Sequence, residues 1–153
     1  MFDSSIQGPL GLSPTTLDVR VTMRNDAVVK GQVVKFDITA SDGEVSTAAV
    51  GASNSIFSNV IDATHPPLIG SIHAVCLEAI AENATGMVRV RGIVDALGGD
   101  GSTIGGLLTV NSDGELEAPG TAADLIVGHA LQTLSNAALG SVLFNGLGYG
   151  DLG

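Results

Sequence analysis

The sequence has few of the residues on which charged, disulfide-bonded or aromatic-rich proteins depend. It contains no tryptophan, five other aromatic residues and a single cysteine, Cys76, among 153 residues. One cysteine excludes an intrachain disulfide framework. Lysine and arginine together number 6, against 16 aspartate and glutamate residues, so the formal net charge is −10. A nucleic-acid-binding protein needs a basic surface, and this composition argues against that class.

Low charge and abundant glycine exclude two further classes. Charged residues make up 14% of the chain and hydrophobic residues 44%, whereas intrinsically disordered chains combine high charge with low hydrophobicity. The chain also contains 21 glycines, while coiled coils and helical bundles are rich in glutamate, lysine, leucine and arginine. We therefore expect a folded chain, and its length suits one domain with an arm.

The first eighteen residues show no periodic apolar pattern and include Pro9 and Pro14. They predict an extended N-terminal arm over residues 1–18, followed by a β-domain over residues 19–153. Because the start carries Asp3 and no basic region, we expect no signal peptide and synthesis in the cytoplasm. Residues 125–150 contain no charged side chain but many polar residues and glycines, so we interpret them as two buried strands, not a membrane span.

Alternating and β-branched runs predict strands at residues 19–23 and 31–38, with a turn at residues 41–43. Residues 44–70 have no clean period and contain His65-Pro66-Pro67, so we expect a loop-rich insertion with one short helix. Residues 107–117 predict a hairpin, because the turn sequence Asn-Ser-Asp-Gly at 111–114 lies between two strand-like runs.

The strongest internal signal is a repeat at an offset of 54 positions. Residues 75–92 align without a gap on residues 129–146, and the glycines Gly86 and Gly140 coincide. This pattern predicts a hairpin used twice, in which the glycine permits a positive φ before the returning strand. Short strands at this spacing predict an all-β fold, a small β-barrel or sandwich built from hairpins, with low helix content.

No cluster of residues points to catalysis or metal binding. His65, His73 and His129 do not have metal-ligand spacing, and we interpret His73 and Cys76 as packed strand residues. Carboxylate pairs within residues 78–82 and 115–117 could act as acid and base, but solvated strand faces carry the same pattern. Nucleotide-binding and hydrolase motifs are absent. We therefore predict no catalytic, metal-binding or cofactor-binding residues, no cofactor, and no enzyme activity.

The charges are distributed unevenly along the chain. No lysine or arginine follows Arg91, so the last 62 residues carry −7 and the remainder −3. A like-charged outer face keeps a crowded assembly soluble, and a mixed face can dock on an acidic or polar partner. We expect the acidic half after Arg91 to face outward, although scattered solvated charges would give a similar distribution.

Three segments in order resemble the bacteriophage capsid cement, or head decoration, proteins. They are the G-Q-V-V-K-F strand at 31–36, the run A-V-C-L-E-A-I-A-E-N-A-T-G-M-V-R-V-R-G-I-V at 74–94, and G-L-L-T-V-N-S-D-G-E-L at 106–116. The segment I-V-G-H-A-L at 126–131 completes the order, so that the resemblance spans residues 19–146. The proline-rich arm and the 44–70 insertion depart from the pattern.

The resemblance implies a virion structural protein on the outer surface of an assembled icosahedral capsid. Such a protein binds the major capsid protein, commonly as a homotrimer, and clamps neighbouring capsid subunits, without nucleic acid or membrane as a partner. We expect the arm and two basic residues to make the capsid and neighbour contacts. The candidate contact residues are Phe2, Ile6, Pro9, Leu10, Leu12, Pro14, Arg20 and Arg24.

Three other interpretations stay open. A tail or fibre β-module that binds a host surface glycan would predict exposed aromatic platforms, of which this chain has few. A small hydrolase would use Cys76 or a carboxylate pair. A homotrimeric β-barrel outside any virus would share the same composition.

Overall fold

The computed structural model describes residues 16–24, 27–36, 56–58, 72–121 and 124–147, and in these ranges the chain is all-β. The described strands are β1 (Leu17–Arg24), β2 (Val33–Phe36), β3 (Ile56–Ser58), β4 (His73–Cys76), β5 (Thr85–Leu97), β6 (Leu107–Val110), β7 (Leu116–Glu117), β8 (Gly128–Ala130) and β9 (Leu139–Asn145). Over the same ranges no helix has the length and apolar character needed to cross a membrane. The all-β fold class predicted from the sequence is confirmed.

Strands β1 to β5 form a small closed ring, which we call the first barrel. The strand order is β1-β3-β2-β4-β5, and β5 returns to pair with β1 over residues 85–91. All of these pairings are antiparallel except that between β1 and β3. The predicted strands at 19–23 and 31–38 correspond to β1 and β2, and β1 begins at Leu17, inside the expected arm.

The second half of β5 begins another ring, the second barrel. The strand order is β5-β9-β8-β6-β7, and β9 pairs with residues 91–97 of β5. The ring closes because Leu116 of β7 forms a bridge with Gly98, directly after β5. The predicted hairpin at 107–117 corresponds to β6 and β7, and residues 125–150 contain the two expected strands, β8 and β9. The expectation that both are buried is wrong for β9, because Leu139 and Leu143 on its outer face are exposed.

The two barrels are copies of one five-strand unit that share β5. Cys76 pairs with Val88 in the first barrel. Ala130 pairs with Val142 in the second, and both residues lie 54 positions further along the chain. The antiparallel pairing of β1 with β5 recurs between β5 and β9, so that the pair Asp18–Arg89 corresponds to the pair Ile93–Leu143. The sequence repeat at offset 54 therefore corresponds to a structural duplication larger than the predicted hairpin.

Strand β3 lies inside the segment that was expected to contain loop and one short helix. Its residues Ile56–Ser58 pair with β1 and β2, so this expectation is wrong for them. The structural reason is that β3 fills the place that β7 fills in the second barrel. Phe57 lies opposite Met23, and Leu116 lies opposite Gly98, in the same parallel arrangement. The remainder of residues 44–70 and the turn at 41–43 lie outside the described residues.

The repeated loop does use a positive φ, but not at the predicted glycines. Gly86 and Gly140 have no positive φ, whereas Asn83 has φ 62° and Ala137 has φ 57°. Asn83 and Ala137 lie 54 positions apart, so the left-handed residue recurs at one place in both loops. The prediction for the glycines was wrong because their role is to leave room for a neighbouring side chain, as described in the Discussion.

The buried residues form two clusters. The first contains Val34, Ala74 and Cys76, and fills the first barrel. The second fills the second barrel, and it also contains Val33 and Val75. Alternate residues of β2 and β4 therefore point to opposite sides, and all four residues of β4 are buried. The second barrel thus packs against the outer face of β2 and β4, and covers it.

Candidate interaction surface

Most of the predicted contact residues lie in the N-terminal arm, outside the described residues. They are Phe2, Ile6, Pro9, Leu10, Leu12 and Pro14. Arg20 and Arg24 lie on β1, with Arg24 as the last residue of the strand. Arg20 is exposed, and its backbone pairs with Met87 of β5. The structure therefore places Arg20 on the outer surface of the first barrel.

An ion pair crosses the outer surface of the first barrel between β1 and β5. Arg89 Nε donates to Asp18 Oδ1 at 2.7 Å, and Nη2 donates to Oδ2 at 2.9 Å. This bidentate geometry fits a guanidinium to a carboxylate. The hydrogen bond from Arg89 lowers the pKa of Asp18, and the bond to Asp18 raises the pKa of Arg89. Both residues are held in place, because Arg89 Nη1 also donates to the carbonyl of Ile93 at 2.7 Å.

An open cleft of about 270 Å³ lies where the two barrels meet. The first barrel lines it with Lys30, Leu77 and Arg89. The second lines it with Ile93, Val94 and Asp95, and the Asp95 carboxylate accepts a hydrogen bond from Ser141 Oγ at 3.2 Å. The cleft therefore shows which residues of the first and second barrels face each other where the barrels pack together.

The same outer position of the second barrel carries an apolar pair in place of the ion pair. Ile93 pairs with Leu143 across β5 and β9. These two residues occupy the positions that Asp18 and Arg89 occupy in the first barrel. Ile93 is 58% exposed and Leu143 is 40% exposed. Exposed apolar residues that adjoin one another are typical of a surface that contacts a partner.

The apolar pair belongs to a larger surface, which we call the open face. The pairing register continues from Leu143 to His129 and then to Leu107, so that one row crosses four strands. His129 and Leu107 are partly exposed, and Leu131 and Ile104 are exposed by 41% and 70%. The open face consists of Ile93, Ile104, Leu107, His129, Leu131 and Leu143.

The open face was not among the sites predicted from the sequence, although the repeat carries a signal for it. The gap-free alignment of residues 75–92 with 129–146 places Arg89 opposite Leu143. A loss of charge at one outward position of a repeat indicates that the two copies meet different surroundings. The excess of acidic residues after Arg91 does not mark this face. Asp113 and Glu115, for example, lie at a hairpin turn rather than on the sheet face.

The cysteine and the histidine considered as chemical groups are packed inside the fold. Cys76 is fully buried, and this burial raises the pKa of its thiol to about 12. A nucleophilic cysteine needs a lowered pKa and access to substrate, so this position does not favour thiol chemistry. His73 is also fully buried. Among the described residues no group of three or more potential metal ligands occurs.

The carboxylates considered as acid–base pairs hold backbone and side-chain donors. Glu78 Oε2 accepts a hydrogen bond from the amide of Met87 at 3.0 Å. Glu115 and Glu117 both accept from Asn111 Nδ2, at 3.2 and 3.1 Å. These contacts fix the loop before β5 and the β6–β7 hairpin, which assigns the carboxylates structural roles.

Comparison with solved structures finds a similar fold in a bacteriophage protein. No family model matches the sequence, and no curated protein matches it. The structure of the head fiber gp8.5 N base in bacteriophage phi29 matches with a TM-score of 0.53 and 11% sequence identity. The match covers 85% of this chain and 94% of that chain. The likeness is one of fold. At this identity the match shows similarity of fold alone.

Proposed function

We propose that this protein is a structural component of a bacteriophage virion. In this proposal it is a cement or decoration protein that binds the outer surface of the assembled icosahedral capsid. It contacts the major capsid protein, associates with itself as a homotrimer, and clamps neighbouring capsid subunits. The observation that carries the proposal is the likeness in fold to the N base of the phi29 head fiber over 85% of the chain.

The surface of the protein supports an interaction role. The open face exposes adjoining apolar side chains, among them Ile93 and Leu143, which are favourable at a protein contact and costly in water. The first barrel offers a different surface, on which Arg20 and the Asp18–Arg89 ion pair are placed. One chain therefore carries two chemically different outer surfaces, which suit contacts with two kinds of neighbour. Many modest contacts of this kind act together on a capsid.

A second candidate function is a β-module that supports a fibre or binds a host ligand. It is favoured by the same comparison, because the similar structure is itself part of a head fiber. The two functions differ in what the protein binds besides the capsid. A cement protein stabilises the shell directly, whereas a fibre base carries a further protein or ligand-binding part.

The test is to add the purified full chain to capsids of its own virus that lack it, and to image the particles. Ordered density at many equivalent capsid positions, together with a higher temperature of DNA release, supports the cement function. Density without any gain in particle stability supports the fibre alternative. Absence of binding to the capsid contradicts both.

The contribution of the arm is tested by deletion of residues 1–15, because β1 begins at Leu17 and all described strands are retained. We expect this variant to keep its melting temperature and lose capsid binding. A matched variant of unchanged length replaces Phe2, Ile6, Leu10 and Leu12 with serine. If either variant binds capsids as well as the full chain does, the predicted arm contacts are wrong.

A further inference from the structure

Within the chain, one barrel covers a specific face of the other. Val33 of β2 and Val75 of β4 are fully buried in the cluster of the second barrel. Leu77 packs against the same cluster. The β6–β7 hairpin completes the cover, because the amide of Val33 donates to the carbonyl of Gly114 at 2.8 Å. The outer face of β2 and β4 is therefore an apolar docking surface whose partner is the next repeat unit.

The corresponding face of the second barrel has no such cover among the described residues. Leu107 and His129 occupy the positions of Val33 and Val75, and they remain partly exposed. Leu131 occupies the position of Leu77 and is 41% exposed. In arrays of repeated units each unit buries its face against the next one, and the terminal unit is left with an open face unless it is capped.

Three charged residues of the first barrel correspond to apolar residues on the open face. Asp18 and Arg89 correspond to Ile93 and Leu143, as described above. Lys30, which precedes Gly31, corresponds to Ile104, which precedes Gly105. The hydrogen bonds of the two turns show that they are equivalent. The amide of Gly31 donates to the carbonyl of Cys76, and the amide of Gly105 donates to the carbonyl of Ala130, the residue equivalent to Cys76. Charged side chains at these three positions would be well solvated if the second barrel were exposed to water. The chain has isoleucine and leucine there instead.

We propose that the open face binds a second copy of this chain, in a head-to-tail contact that continues the repeat. The occupant is the first barrel of the next copy. In the cleft between the barrels, Ile93, Val94 and Asp95 face the first barrel. Their equivalents on β1 are Asp18, Val19 and Arg20, which then face Ile104, Leu131 and Leu143 of the preceding copy.

The chemistry of the two faces fits this arrangement. The open face contains no lysine or arginine, and Asp95 borders it on β5. The incoming face brings Val19 between the charged residues Asp18 and Arg20, so the contact buries apolar side chains while the charged groups stay at its edge. A head-to-tail contact generates a closed ring when its rotation closes, and an open filament when it does not. This inference deepens the self-association included in the proposed function, and rests on it.

The test transplants the ion pair of the first barrel onto the open face. The double variant Ile93→Asp/Leu143→Arg creates at these positions the pair that the fold already accepts as Asp18–Arg89. Leu143→Arg alone is measured beside it, because Ile93 also lines the cleft between the barrels and stays unchanged in that variant. Sedimentation velocity of the full chain is measured from about 1 to 100 µM, a range that detects contacts of ordinary affinity. The wild-type chain is expected to sediment as an oligomer, and the double variant as a monomer, with its dissociation constant raised about tenfold or more.

The control is Val29→Thr, which removes an exposed apolar residue of the first barrel and introduces the residue found at the equivalent position, Thr103. It should associate as the wild type does. If the double variant does not fold, Ile104→Lys copies the equivalent Lys30 and is measured instead, with weaker association expected. The proposal is overturned if the variants associate like the wild type, or if the wild type is monomeric at 100 µM.

Capsid binding is measured separately, so that the failure of one proposal can be distinguished from the failure of the other. If the wild-type chain is monomeric and the double variant loses capsid binding, the open face binds the major capsid protein. This outcome overturns the second-copy contact alone. A wild-type chain that forms the oligomer without binding capsids retains the contact and contradicts the proposed function.

Discussion

The side chain of Ile80 lies directly over the Cα of Gly86, so that a Cβ built on the glycine would be 2.5 Å from Ile80 Cγ1. The same relationship recurs in the second barrel, where a Cβ on Gly140 would overlap Leu134 Cδ2. Ile80 and Leu134 are buried, and each belongs to the core cluster of its own barrel. The repeated glycine is required by this close approach and not by its own φ.

Replacement of Gly86 by alanine should therefore destabilise the fold. The added methyl group overlaps Ile80 and forces it to shift within a packed interior, which costs about 1–3 kcal/mol. The measurement is the free energy of unfolding in urea. Gly120→Ala is the control, because a Cβ there meets only Asp124 Oδ2 at 3.9 Å. Ile80→Ala removes Cγ1 and Cδ1, so the losses of Gly86→Ala and Ile80→Ala should be less than additive in the double variant. Equal stability of Gly86→Ala and wild type would contradict the proposed contact.

The duplicated loops predict an exchange of residues at the left-handed position. Ala137 has φ 57°, which is strained for alanine, and its equivalent in the first barrel is Asn83, a residue that tolerates this conformation. Ala137→Asn should stabilise the protein by up to about 1 kcal/mol, and Asn83→Ala should destabilise it by a similar amount. Both changes are measured as shifts in melting temperature. Ala138→Asn is the control in the same loop, and an equal gain there would show that the φ of Ala137 is not the cause.

The sequence repeat predicted two hairpins, and these are β4–β5 and β8–β9. The rest of the duplication was hidden by unequal loops. Phe36 pairs with Phe57 in the first barrel, and its equivalent Val110 pairs with Leu116 in the second. The chain between these paired residues is therefore much longer in the first barrel. A gap-free alignment of the two repeats cannot match the strands on both sides of this connection. The long insertion predicted at 44–70 is largely this difference in length.

Other features depend on tertiary packing and could not be read from the pattern. Strand β5 looks like one long alternating strand, and nothing local shows that its two halves belong to different barrels. The burial of Val33 and Val75 on the outer face of the first barrel depends on the second barrel packing there. The open face could be predicted only with the structure, which shows that Arg89 and Leu143 occupy equivalent outer positions of the two barrels.

The Asp18–Arg89 ion pair predicts a defined loss of stability in acid. The pair lowers the pKa of Asp18 in the folded state, so its contribution is fully present above the unfolded value of about 3.9. It is lost as the pH falls through the lower, folded value. Since both side chains are partly exposed, about 0.5–1 kcal/mol is at stake.

Urea unfolding of wild type and Asp18→Asn from pH 7 to pH 2.5 measures this contribution. The two proteins should differ at pH 7, and the difference should diminish below about pH 4. Glu82→Gln removes an exposed carboxylate from the loop before β5 and serves as the control, with little change expected. A difference between wild type and Asp18→Asn that stays constant down to pH 2.5 would mean that the asparagine acts through packing and not through charge.

Cys76 provides a test of the thiol alternative. Burial raises its pKa to about 12, so the thiol stays protonated at pH 8, and the side chain is fully buried. Iodoacetamide should therefore leave the native protein unmodified and react fully in urea. Cys76→Ala places in the first barrel the residue that the second barrel has at Ala130, and should cost about 1 kcal/mol. Rapid alkylation of the native protein would show that the thiol is reachable and ionised, and the hydrolase interpretation would then regain support.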